Sequence, residues 1–309
     1  MADFFSKVAK TLRHHARRWL VFLRRLWWVV AKPMPCAPVF IVGCSRAGTT
    51  LVYKTFSESG ELGSLQKETH DFWSELHPLG QRHWASHVLH AKDARESDRL
   101  AVARYFFSHT GKRRFVDKNN QNGLCIPYLY TLFPDAHFVY VKRSPGDNIN
   151  SLIEGWRRPD EFATWSDDLP EKVSIDGGEI TRWCFFLPDS WRSYLDRRLE
   201  AVCAFQYQAM NEAILEAKSL IPAAQWIEIM YEDLLTDPVN GFRSAFEHCG
   251  ITFTPDLQRH CESVLANPYN AFSEIKLDKW RQGRNRERLE TVLPSLGRIA
   301  GRMGYPEAG

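Results

Sequence analysis

The chain has 309 residues, 44% hydrophobic and 25% charged, with a formal net charge of +3. This is ordinary globular composition, sufficient for one large domain or two small ones with a core that needs no staples. Seven cysteines, odd in number and never spaced as CxxC, speak against a disulfide framework and a cysteine zinc site, and fit a reducing, cytoplasmic setting. The charge is unevenly spread: residues 1–32 hold eight Lys/Arg against Asp3 alone, a net of +7, which leaves −4 for the rest. A mildly acidic globular part disfavours general nucleic-acid binding.

Residues 1–32 read as a basic amphipathic helix that ends before Pro33. At about 100° per residue, Phe4, Val8, Leu12, Trp19, Phe22, Leu23, Leu26, Trp27 and Val30 share one side. Lys7, Lys10, His14, Arg17, Arg18, Arg24 and Arg25 take the other. The apolar run Trp19 to Ala31 is short and split by Arg24 and Arg25, so it is not expected to span a membrane, which takes about 20 apolar residues. It also lacks the pattern of a signal peptide. Residues 4–31 are expected either to dock on an anionic membrane surface or a partner, or to cover the protein's own core. Trp28, on the basic side, favours lipid headgroups.

"VFIVGCSRAGTTLVYKTF" (39–56) is a strand, a loop with Gly43 and Gly48, and a helix start at Thr49 and Thr50. Such a loop offers backbone N–H groups and the positive end of a helix to an anion. It opens like the phosphate loop of NTPases, but Thr49 stands where those loops have lysine, and Arg46 is the only long cation within it. No magnesium-binding acid is evident downstream, so ATP chemistry lacks its usual parts.

Further along, "LQKETHDFW" places Glu68 and His70 two residues apart, where an extended backbone would aim both the same way. Either is a candidate base, His70 because its ordinary pKa is near neutrality. His83, His87 and His90 would share one face of a helix, a spacing that can ligate zinc, but no metal motif accompanies them and a partner-facing stripe is favoured. Phe115–Val116 reads as a short strand leading to Lys118, which either serves the site or pairs with Asp117.

The segment "FPDAHFVYVKRSPGDNINSLIEGW" puts Arg143 at the end of the strand His137–Lys142, Ser144 and Pro145 at a helix start, and Ser151 two turns in. An arginine fork beside a hydroxyl at a helix N-terminus can hold a doubly charged phosphate. Residues 159–188 are irregular enough for an insertion or lid. Of the aromatics Trp156, Trp165, Trp183, Phe185, Phe186 and Trp191, most are expected in the core and some against a sugar ring or apolar acceptor. A fourth strand is expected at Trp226–Met230, and the alternation of strands and helices implies a mostly parallel sheet covered by helices.

These residues carry a family resemblance. "GCSRAGTT" resembles the 5′-phosphosulfate loop of sulfotransferases that use 3′-phosphoadenosine-5′-phosphosulfate (PAPS), in the "GxPRSGTT" form of carbohydrate and tyrosylprotein sulfotransferases. Ser45 replaces the proline of that form and Ala47 its frequent serine. The family's 3′-phosphate site pairs a strand-end arginine with a serine eight residues on, as Arg143 and Ser151 are here. "YEDLLTDP" (231–238) is similar to a structural strand-and-turn of the superfamily. "LDKW" is similar to the "SKW" of tyrosylprotein sulfotransferases, which implies nucleotide contact by Lys279. The "RKGxxGDW" of the cytosolic branch is absent. The likeness runs from Pro38 to Tyr305, patchily between Trp156 and Ala223.

The resemblance implies an α/β domain over 38–309 with a P-loop NTPase-like parallel sheet. It implies PAPS as co-substrate without a metal, held by Arg46, Ala47, Gly48, Thr49, Thr50, Arg143, Ser151 and Lys279. The stretch around Glu68 is similar to the KExHFF and EETR stretches of related sulfotransferases, so sulfuryl transfer would use Glu68 as base, with His70 second; Arg46 would stabilise charge, and Lys118 would stabilise the sulfuryl group or orient Glu68. The expected acceptor is a hydroxyl on a carbohydrate or glycolipid. Two rivals remain at this point: a kinase-like phosphotransferase acting on a small hydroxyl compound, and a non-catalytic, membrane-associated nucleotide-binding protein.

Overall fold

The computed structural model describes residues 2–266 and 276–306, with side chains from His15 onward. Of the amphipathic pattern, Phe4, Lys7, Val8, Lys10, Leu12 and His14 therefore lie outside the described side chains.

Four parallel strands form the sheet: β1 (Val39–Val42), β2 (Val116–Asp117), β3 (His137–Lys142) and β4 (Trp226–Met230), in the order β2-β1-β3-β4. All four were legible as apolar runs, with β2 displaced by one residue. β1 is apolar at every position because both faces of the sheet are covered, as parallel sheets require. Its Phe40 and Val42, with Phe138 and Tyr140 of β3, face one core beneath the helices Ile126–Leu132, Pro145–Trp156 and Leu199–Ala217. Val39 and Ile41, with Val139 and Val141, face a second core under Thr49–Ser57 and Pro238–His248. The architecture is a sheet between two helical layers, of the P-loop NTPase-like type.

Strand order decides where a ligand can go. The chain leaves β1 for β2 on one side, then returns to β3 on the other, pairing Phe40 with both Asp117 and Phe138. The connections after β1 and β3 therefore part at the carboxyl ends of those strands, and this topological switch point is where open α/β sheets hold ligands.

The first helix, Ala2–Ala31, packs on the helix Glu96–Thr110. Trp28 is buried there, Trp27 stacks on Phe107 at 5.2 Å, and Arg24 Nη1 donates to the His109 carbonyl at 3.4 Å. This corrects the reading of Trp28 as a lipid-headgroup residue: the cationic side carries the contact, because Arg24 reaches a carbonyl at a helix C-terminus and Trp28 supplies the apolar area beside it. No helix among the described residues is long and apolar enough to cross a membrane.

Candidate active site

The loop after β1 is built by two glycines that cannot be replaced cheaply. Gly43 has φ 155° and Gly48 φ 97°. A Cβ on Gly43 would stand 2.6 Å from the Val141 carbonyl oxygen, and one on Gly48 only 2.3 Å from the Tyr231 ring. Between them Arg46 adopts φ 69°, the left-handed region that side-chain-bearing residues seldom enter. The loop is tied down from outside: Asn148 Nδ2 donates to the Ser45 carbonyl at 2.8 Å, and Arg143 Nη1 to the Arg46 carbonyl at 2.9 Å. Gly48→Ala is expected to cost about 2–4 kcal/mol, from left-handed strain plus overpacking against Tyr231; urea denaturation measures it, and an unchanged midpoint would refute this account of the loop.

Gly48 caps the helix Thr49–Ser57, whose first N–H groups have no partner within the helix and face the loop's cavity. That cavity is about 760 Å³. Arg46, Gly48, Thr49, Thr50, Glu68, His70, Lys118, Arg143, Ser151 and Lys279 all line it. Ala47 does not; it is buried behind the loop, with its N–H donating to the Cys44 carbonyl at 3.0 Å. Its place in the loop is therefore structural.

Arg46, Arg143 and Ser151 converge more closely than their separation in sequence suggests. Arg46 Nε donates to Ser151 Oγ at 3.3 Å, and the Arg143 guanidinium lies 4.7 Å over the Tyr231 ring. Burial, and then the like charge of Arg143, lower the Arg46 pKa to about 10. Burial and the same neighbour also lower that of Lys279. Two guanidiniums and an ammonium held together at such cost call for an anion between them. Buried Arg143 Nε and Ser45 Oγ have no hydrogen-bond partner, as expected of groups that complete their bonding with a ligand.

Lys279 reaches this site from far along the chain because its segment is clamped to the helix Pro145–Trp156. The Asp278 N–H donates to Asp147 Oδ2 at 2.8 Å, and Trp280 fills the space beside Gly146, where a Cβ would stand 2.3 Å from Trp280 Nε1.

Across the cavity, Lys118 Nζ donates to Glu68 Oε1 at 2.6 Å. Lys118 is thus not the partner of its neighbour Asp117. Buried Asp117 instead accepts from Thr69 Oγ1 at 2.5 Å, Trp73 Nε1 at 2.9 Å and Asn122 Nδ2 at 3.1 Å. Burial raises its pKa, against the pull of those bonds. Asp117 therefore pins the Glu68 segment to β2. The backbone of 68–70 is not extended: Thr69 caps the helix His70–Leu76, and His70 Nε2 lies 3.3 Å from Asp71 Oδ1. Glu68 and His70 reach the same cavity by a loop and a helix start, rather than by strand alternation.

The histidine stripe is absent. A short 3-10 turn, Leu79–Arg82, ends at His83 with φ 53°, and the chain beyond is not helical, so His83, His87 and His90 share no face. Arg82 Nη2 donates to the Val88 carbonyl at 2.6 Å, which ties down the chain beyond the turn. His87 is buried, accepts from the Leu187 N–H at 2.7 Å, and is pushed down to about 3 by burial. Among the described residues no cluster of His, Cys, Asp or Glu is placed to hold a metal.

Segment 159–188 supplies a wall of the cavity. Trp165 and Phe185 line it, whereas Trp156, Trp183, Phe186 and Trp191 are core. Phe162 also lines it and lies 5.6 Å beneath the Arg46 guanidinium. Phe162, Lys67, Lys276 and Tyr231 are wall residues that sequence reasoning missed. Lys67 adjoins Glu68, Tyr231 opens the YEDL stretch and Lys276 directly precedes LDKW, so those three carried a local signal; Phe162 carried none.

Residues 38–189 match the family model described as the sulfotransferase family. Nodulation protein NoeE of Sinorhizobium fredii is 25% identical over 142 residues, which are 41% of this chain and 33% of NoeE. The chain thus matches about a third of that relative's length. The sulfotransferase STF9 from Mycobacterium avium has a similar fold, with TM-score 0.50 at 15% identity, over 89% of this chain and 82% of that one. A sulfotransferase from Alicyclobacillus acidocaldarius superposes with TM-score 0.49 at 20% identity, over 87% and 96% of the two chains. The matched residues, just under half of the chain, include the glycine loop, Glu68, Lys118 and the Arg143/Ser151 pair, and over them the chain is similar to the sulfotransferase family.

Proposed function

We propose that this chain transfers the sulfuryl group of PAPS to an acceptor hydroxyl, on a carbohydrate or a glycolipid. One observation carries the reading: a lysine-free phosphate loop, an arginine–serine clamp and a carboxylate–lysine pair, from three separate stretches, line a single cavity. The orphaned Arg143 Nε and Ser45 Oγ, with the crowded cations beside them, suit a ligand with phosphates at two positions. Arg143 and Ser151 would hold the 3′-phosphate. The first N–H groups of the helix Thr49–Ser57, with the Thr49 and Thr50 hydroxyls, would hold the 5′ side, and Lys279 would add charge to the nucleotide.

In the transfer, the acceptor oxygen forms a bond to sulfur as the bond from sulfur to the bridging phosphate oxygen breaks. The electron pair leaves with 3′-phosphoadenosine-5′-phosphate (PAP), and the acceptor proton passes to Glu68. Arg46 and the loop amides meet the charge that grows on the departing phosphate. Lys118, bonded to Glu68 Oε1, orients the carboxylate so that Oε2 takes the proton. Phe162, Trp165 and Phe185 give the acceptor side an aromatic wall on which a sugar can stack. These groups come from stretches between β1 and Lys279, and we assign them to one α/β domain, residues 38–309.

Incubation with sulfur-labelled PAPS and fractionated lipids, glycans and peptides tests the proposal. Label is expected in a glycan or glycolipid fraction, with undiminished transfer in EDTA. Transfer of the γ-phosphate of ATP, dependent on magnesium, would favour the kinase reading and overturn this one.

A further inference from the structure

The first helix turns its apolar side away from the protein. Val21, Arg24 and Trp28 are the residues withdrawn from solvent along its second half, and at about 100° per residue they form one stripe. Trp19, Phe22, Leu23, Leu26 and Val30 fall on the opposite side and are 49% to 86% exposed. Five large apolar side chains in a continuous row are far more than scattered surface hydrophobes, and such patches mark interaction surfaces. Arg17, Arg18, Arg25 and Lys32 are exposed on the same stretch, and residues 15–32 contain no Asp or Glu.

We infer that this face docks on an anionic lipid bilayer, with the helix in the plane of the headgroups and Trp19, Phe22, Leu23, Leu26 and Val30 immersed. Arg18 and Arg25 stand roughly at right angles to the apolar row, where long cationic side chains can reach lipid phosphates from an interfacial helix. Charge selects this occupant over a second copy, since two copies face to face would bring together stretches, residues 15–32, that carry cations and no acids. Insertion is shallow, because the Arg24–Arg25 pair interrupts the apolar run and no described helix can span.

The docking helix is also close to the site. It rests on Glu96–Thr110, whose Tyr105 stacks at 4.0 Å on Phe72, a neighbour of the cavity-lining His70 and Asp71. A lipid-borne acceptor would therefore arrive near the cavity, although the docking itself does not rest on the sulfotransferase reading.

Flotation of the full chain with vesicles tests this, using phosphatidylcholine alone and phosphatidylcholine with about one third phosphatidylglycerol. Binding is expected to be at least about tenfold tighter on the anionic vesicles and to weaken as salt is raised. Leu23→Glu with Leu26→Glu should abolish flotation, and Arg18→Glu with Arg25→Glu should remove the preference for anionic lipid. Both variants should keep the parent's melting curve, since these side chains are exposed. No flotation, or equal flotation on the two vesicles, would overturn the inference. So would a dimer in sedimentation velocity that Leu23→Glu with Leu26→Glu dissolves, for then a second copy covers the face.

Discussion

Replacing Arg143 with alanine is expected to weaken PAP binding by roughly 10²–10³-fold while changing ATP binding by less than about threefold. A charge-assisted hydrogen bond to a phosphate contributes about 1.5–3 kcal/mol, and a guanidinium can make two at once, so a loss of about 3–4 kcal/mol is reasonable. ATP has no 3′-phosphate and would lose only a long-range attraction. Arg143→Lys should fall between parent and alanine, because an ammonium keeps the charge but loses the planar fork. Arg143 also donates to the Arg46 carbonyl, so part of the effect could come from a loosened loop. Calorimetry with both nucleotides separates these causes: a loosened loop harms the 5′ side, which PAP and ATP share, whereas a lost 3′ clamp harms PAP alone. Equal weakening of both would remove Arg143 from the 3′ site.

The sequence disclosed this site unevenly, for physical reasons. β1 and β3 are central runs that a parallel sheet must bury on both faces, β1 directly between Pro38 and Gly43, and β4 is an apolar-rich edge run, partly buried, so these strands could be read locally. The loop was legible because its chemistry lies in six consecutive residues, Gly43 to Gly48, with a strand before and a helix after. Arg143 and Ser151 were legible because a helix N-terminus sets their spacing. What stayed hidden depends on contacts between distant segments. The resemblance left Lys118 either to meet the sulfuryl group or to orient Glu68, and only the fold shows it bonded to Glu68, 50 residues away, while Asp117 next to it takes Thr69, Trp73 and Asn122.

The misreadings have the same origin. Spacing alone puts His83, His87 and His90 on a helix, but it cannot register that the turn ends at left-handed His83 and that Arg82 holds the chain beyond it by the Val88 carbonyl. Trp28 was assigned by helical angle to the side facing lipid headgroups. The angle was sound; which side meets the protein was not a property of the helix alone.

Glu68→Gln is expected to lower kcat for transfer to the acceptor found with labelled PAPS by about 10²–10⁴-fold, the range for loss of a positioned general base, while leaving PAP affinity within about threefold. Glutamine keeps the shape and can still accept from Lys118 Nζ through its carbonyl, so the fold and the nucleotide site should persist. It cannot take a proton at the pH of the assay. His70→Asn discriminates between the two candidates. Its ring is half exposed beside Asp71, whereas Glu68 is held by Lys118, so the larger loss should fall on Glu68. A fall in kcat for His70→Asn that exceeds the fall for Glu68→Gln would transfer the role to the imidazole. Lys118→Ala supplies the remaining control: without the ammonium, Glu68 keeps its charge but loses its anchor, so kcat should drop by about tenfold or more with KM for PAPS less affected. If Glu68→Gln and Lys118→Ala both raised KM for PAPS at constant kcat, the pair would be a nucleotide-binding element and not the acid-base machinery.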